Sequence, residues 1–152
     1  MAQNSSAVTP LIINNESIVT DIKFAVNAPA TGELSGHCAG ASVDDAVRAV
    51  EAAQAAFPAW SKTQPYDRRD VLFKAAEIMA SRKEEFIAYQ REETGAGRPF
   101  AEHTFNLGVS FIKDFAARIS TIEGIVPNVT REGEGAIVYK EPYGVILSIA
   151  PW

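Results

Sequence analysis

Val145-Ile146-Leu147-Ser148-Ile149-Ala150, followed by Pro151-Trp152, is apolar without alternation. A strand with one wet face alternates apolar and polar residues. An unbroken run wants both faces covered, as in the interior of a parallel sheet. The run therefore predicts the first strand of an α/β domain whose other strands lie beyond Trp152. In open α/β sheets, ligands bind outside the carboxyl ends of the strands. Pro151-Trp152 thus stands either where a cofactor meets backbone and apolar side chains, or in a plain strand-ending loop. A cofactor at this end requires the strand to be central; an exposed or helical 145–152 would count against both the cofactor role and any enzymatic lineage built on it.

Working back from this run, segments 126–131 and 136–140 read as two strands joined by Glu132-Gly133-Glu134-Gly135, a hairpin signal. Before them the period changes to that of helices. Phe105, Gly108, Val109, Ile112, Phe115, Ala116, Ile119 and Ile122 mark the buried face of a helix from about Pro99, with Gly124 as its stop. Ser81-Arg82-Lys83-Glu84 has the spacing of a capping box, Ser at N-cap and Glu at N3. It predicts a helix through Phe86, Ile87 and Gln90, closed at Gly95, where glycine accepts the left-handed cap. Pro65 suits a first helical position; Val71, Leu72, Ala75, Ala76 and Met79 follow as an apolar face.

The first helix starts after Ser42, a good N-cap, with Asp44 and Asp45 in its first turn. Val43, Ala46, Val47, Val50, Ala53, Phe57 and Trp60 share one face, and Pro58 disturbs the last turn. The first forty residues read as extended. Leu11-Ile12-Ile13 precedes a turn at Asn14-Asn15-Glu16, and Ile18, Ile22, Phe24 and Val26 keep the even spacing of a strand with one buried face. Pro29-Ala30-Thr31-Gly32 supplies turn chemistry.

Composition bounds the function. Of 152 residues, 47% are apolar, which supports a packed core. Acidic residues outnumber basic ones, 19 to 14, and no basic stripe exists for phosphates, so nucleic acid is not expected as a partner. No run approaches a membrane span. Residues 1–10 hold no Arg, no Lys and no long apolar run, so no secretory signal is read there and a cytoplasmic location is expected. On that basis the N-x-Ser/Thr triplets at Asn4, Asn15 and Asn128 are chance.

Several constellations invite chemistry and have plainer readings. His37-Cys38 resembles a Cys/His pair, but neighbours in an extended segment point to opposite sides and no third orienting group is evident. Gly95-Ala96-Gly97-Arg98-Pro99-Phe100 starts like a dinucleotide fingerprint; it follows a helix rather than a strand, so a helix cap and turn is expected. Glu92-Glu93 and Glu102-His103 read as solvated helix faces. With two histidines and one cysteine, no zinc constellation assembles and no metal is expected. Phe105, Phe111 and Phe115 fit a core better than a substrate pocket.

The order of these landmarks resembles one family. Asn27-Ala28-Pro29-Ala30-Thr31-Gly32-Glu33, the helix 45–60 ending Phe57-Pro58-Ala59-Trp60, Arg68-Arg69-Asp70-Val71-Leu72, Glu93-Thr94-Gly95, Glu141-Pro142-Tyr143-Gly144-Val145 and Ile149-Ala150-Pro151-Trp152 are similar to the N-terminal part of aldehyde dehydrogenases. The resemblance runs from about residue 11 onward. The closing segment and the Phe-x-x-Trp helix end are its specific parts. Ala28 adds a residue to the usual turn, and Ala96-Gly97 stands where many members carry Lys directly after Gly95. Tyr143 and Ile125-Val126-Pro127 look nearest to the branch acting on aromatic aldehydes such as salicylaldehyde or vanillin.

The resemblance implies an NAD- or NADP-dependent oxidation of an aldehyde to a carboxylic acid. It implies that Ile149, Ala150, Pro151 and Trp152 line the coenzyme site, and that no catalytic residue lies in this chain: the nucleophilic cysteine, the general-base glutamate and the oxyanion asparagine would all follow Trp152. Cys38 does not stand at the nucleophile position. Leu107 and Phe111 resemble a helix near the substrate tunnel. Segment 125–141 resembles a hairpin that pairs with a neighbouring subunit, implying a homodimer or tetramer. The expected fold is α/β: an extended segment 1–41, a helical part 42–124 of the coenzyme-binding domain, the hairpin 125–141, and the first strand, 142–152, of an incomplete Rossmann-like sheet. The fragment by itself is expected to be inactive. The alternative is a non-enzymatic helical fragment that binds other subunits, and coding sequence past Trp152 discriminates the two.

Overall fold

The computed structural model describes residues 8–150; Asn4, Pro151 and Trp152 lie outside them. Five short strands come first: β1 Val8–Thr9, β2 Leu11–Ile13, β3 Glu16–Ile18, β4 Lys23–Asn27 and β5 Leu34–Ala39. β2 and β3 form an antiparallel hairpin. Its two-residue turn is Asn14-Asn15, with φ of 52° and 63°. Primed turns need positive φ at both central residues, and asparagine tolerates it best after glycine. A second sheet has the order β1-β5-β4, with β1 parallel and β4 antiparallel to β5.

The β4–β5 pairing slips once. Val26 faces Gly36 while Asn27 faces Leu34, which leaves Ser35 as the extra residue of a bulge. The side chain of Ser35 is buried there and reaches the helical layer. The face expected on Ile22, Phe24 and Val26 is not buried: Ile22 and Phe24 are both more than half exposed.

Four helices follow: α1 Val43–Trp60, α2 Pro65–Ser81, α3 Lys83–Thr94 and α4 Arg98–Arg118, the last extended by a 3₁₀ turn, Ile119–Thr121. α1 begins with a capping box. The Asp45 N–H donates to Ser42 Oγ, and the Ser42 N–H donates back to Asp45 Oδ2 at 3.0 Å. Its last turn holds Pro58, and the helix ends two residues later. α2 opens on Pro65 as expected. α3 closes at Gly95 with φ 71°, its N–H bonded to the Arg91 carbonyl.

The box expected at 81–84 does not form. Ser81 is the last residue of α2 and its hydroxyl donates to the Ile78 carbonyl, so it is not free to cap α3; Arg82 stands at that N-cap without a side-chain bond. A serine in a last helical turn has a backbone acceptor behind it, and that local bond wins.

The core lies between α2, α3 and α4. Ile87, Ala101 and Phe105 are buried together, with Met79 and Val109 packed against them. Ala76 and Ala116 have no exposed surface. Phe86 tilts against Phe105 with ring centroids 5.8 Å apart. The α4 face expected to be buried is covered only in part, because Phe115 and Ile122 are 63% and 67% exposed.

Two expected features of the tail are corrected. Segment 125–141 holds no strand among the described residues; it keeps one antiparallel bridge, Ile125 with Val138. Segment 145–150 is not a strand either. Ile146, Leu147 and Ile149 are 73%, 84% and 84% exposed. The physical reason is pairing: every strand among the described residues lies between 8 and 39, and none of their ladders includes 145–150. An apolar run without neighbours has no partner for its N–H and C=O groups except water.

Candidate functional site

α1 and the tail meet along one cleft. Ala53, Ala56, Phe57 and Trp60 of α1 face Gly144, Val145 and Ile146 across a space of about 290 Å³. Beside it, Phe57, Trp60, Arg68, Ile122, Lys140 and Pro142 line a second cleft of about 360 Å³. The Arg68 guanidinium is fixed by Thr63, donating to both its carbonyl and its hydroxyl. The α1 stripe foreseen from periodicity is real, yet Val43, Val47, Val50 and Trp60 remain about half exposed or more.

Of the four residues expected at the coenzyme, Ile149 and Ala150 are exposed at the end of this tail. They fit one wall of a dinucleotide site, being uncharged, apolar and uncovered. The strand that would aim them is not formed, so the coenzyme role does not follow from the fold of 145–150. The Gly95-Ala96-Gly97 segment offers no alternative. Gly95 caps α3 and Gly97 is the N-cap of α4, between two helices rather than after a strand.

His37, Cys38, Glu92 and Glu102 among the remaining candidates have structural partners. Cys38 is half-buried near the end of β5, the middle strand of its sheet, opposite Phe24 and Thr9, and His37 next to it pairs with Ala25 and Val8. Adjacent strand residues point to opposite faces, so these two do not converge. Glu92 accepts a hydrogen bond from Ser35. Glu102 pairs with Arg98 at 2.9 Å, and Arg98 also reaches Glu84. These hydrogen bonds raise the guanidinium pKa of Arg98 further above its ordinary value, Glu84 contributing most. Asp45 is held below the usual carboxylate range, chiefly by the Ser42 hydroxyl and then by its N–H and by Arg48. Both are helix-end devices. Among the described residues no group of three or more His, Cys, Asp or Glu could hold a metal ion.

α4 carries a second apolar stripe beside its buried one. Leu107, Phe111 and Phe115 recur every four residues and are 41%, 51% and 63% exposed. Phe111 and Phe115 tilt together at 6.4 Å. Neither is core, contrary to the expectation for Phe111 and Phe115; Phe105 is core.

A helical layer with its own core, small N-terminal sheets beside it and an apolar run left open at the far end define part of a mixed helix-and-strand fold. The family model of the aldehyde dehydrogenase family matches residues 18–152. The chain belongs to that family. It is 37% identical over 145 residues to the vanillin dehydrogenase of a Pseudomonas species, covering 94% of this chain and 30% of that protein. It is 36% identical over 146 residues to the 1-pyrroline-5-carboxylate dehydrogenase of Anoxybacillus flavithermus, 94% of this chain and 28% of the relative. The salicylaldehyde dehydrogenase of Pseudomonas putida, solved with salicylaldehyde, superposes with a TM-score of 0.83 at 28% identity, covering 89% of this chain and 28% of that one. The chain therefore spans about 30% of the length of the curated relatives it matches. The superposition also establishes the fold as the N-terminal part of the aldehyde dehydrogenase architecture.

Proposed function

We propose that this chain is the N-terminal part of an NAD- or NADP-dependent aldehyde dehydrogenase acting on aromatic aldehydes. The observation that carries the reading is the family match over 18–152 together with the superposition on a salicylaldehyde dehydrogenase. When bound, the dinucleotide supplies a hydride acceptor. The residues of this chain bind and position. Ile149, Ala150, Pro151 and Trp152 form an apolar wall against the dinucleotide, in a strand that pairs once the rest of the sheet is present. Leu107 and Phe111 on α4 face the aldehyde side, where an apolar aromatic edge suits an aromatic ring. This reading looks for the cysteine nucleophile and the glutamate base outside these 152 residues: Cys38 is paired with Phe24 and Thr9 in β5, and its neighbour His37 points to the opposite face.

The same reading divides the chain into 1–41, the helical part 42–124, the oligomerisation segment 125–141 and the strand 142–152. Exposed Val126, Ile137 and Tyr139 around the Ile125–Val138 bridge support pairing of 125–141 with a neighbouring subunit in a homo-oligomer. Among the described residues no helix is long and apolar enough to cross a membrane, which is compatible with a cytoplasmic enzyme.

The test is a substrate panel. The whole protein is mixed with NAD or NADP and vanillin, salicylaldehyde, benzaldehyde or an aliphatic semialdehyde, and reduced nicotinamide is followed by absorbance. Turnover highest on the aromatic members supports the reading. Turnover confined to the aliphatic one overturns the aromatic assignment, and none at all overturns the activity.

A further inference from the structure

We draw no further inference here: the strongest candidate, the unpartnered apolar face formed by the α1 stripe and the exposed run 145–149 beside its C-terminal end, carries nothing because nothing in the structure shows what covers it.

Discussion

Ser35 Oγ donates to Glu92 Oε1 at 2.8 Å, joining residues 57 apart in the chain. The bond links the bulge of β5 to α3, and so ties the N-terminal sheet to the helical layer. A Cβ built on Gly95, at the end of α3, would lie 3.5 Å from Pro29 in the β4–β5 turn, so the two elements also run close there. The bulge aims Ser35: the extra residue shifts the alternation of side chains along β5, and the Ser35 hydroxyl reaches α3.

Removing that hydroxyl strands a carboxylate oxygen in a half-buried site. A hydrogen bond to a charged group contributes about 1.5–3 kcal/mol when buried, and partial exposure of Glu92 favours the lower end. Ser35→Ala is expected to cost about 1–2 kcal/mol, read from urea unfolding of the whole protein. A midpoint unchanged from wild type would remove Ser35 from the account.

The cap of α1 has a pH signature. The Asp45 carboxylate is stabilised in the folded chain, so its pKa lies below the ordinary 3.8. Stability from this source is fully present above the unfolded value and is lost as pH falls through the lower folded one. Ser42→Ala is expected to cost about 1 kcal/mol near neutrality and to flatten the acid limb of stability below that ordinary value. Unfolding midpoints across the acid range check both. An acid limb as steep as wild type would mean that Ser42 does not hold Asp45.

Ile87 is the largest fully buried side chain among the described residues, packed with Ala101 and Phe105. Truncation leaves a cavity between α3 and α4. Ile87→Ala is expected to cost about 2–5 kcal/mol, whereas Val43→Ala, at an 80% exposed position, is expected to change little. Equal losses for the two would place the core elsewhere.

Gly124 backs directly onto the Val138 carbonyl oxygen, and a Cβ there would overlap it. The obstacle is backbone, so a rotamer change gives no relief. Gly124→Ala is expected to break the Ile125–Val138 bridge and, with 125–141 pairing subunits as proposed, to weaken association of the whole protein. Hydrogen exchange at the Ile125 and Val138 amides, alongside sedimentation, reads both effects. Protected amides in the variant would refute the steric argument.

Local chemistry was legible and long-range pairing was not. Ser42 at an N-cap, Asn14-Asn15 in a tight turn, Pro65 at a helix start and Gly95 in a left-handed cap are each decided within four or five residues, and the structure has all of them. Ser81 failed for an equally local reason, a competing bond to Ile78. The bulge at Ser35 depends on how two strands register, which no single stretch encodes. Periodicity named the residues that share a face on α1 and α4, but not what covers that face; hence Phe115 and Trp60 are exposed. The run 145–150 is the sharpest case. Its composition asks for neighbours on both sides, and a strand is a property of its neighbours as much as of itself. The family was legible from landmark order and is carried by comparison with known proteins, while the coenzyme role proposed for Ile149 and Ala150 is not carried by the geometry of the tail.

The most direct test of the central claim is dinucleotide binding by the whole protein, titrated calorimetrically with NAD and NADP. Ile149→Asp sets a charge against the apolar wall. The account predicts at least about tenfold weaker binding, roughly 1.4 kcal/mol, in a variant whose circular dichroism matches that of the wild type. Undiminished affinity in a folded Ile149→Asp protein would contradict it.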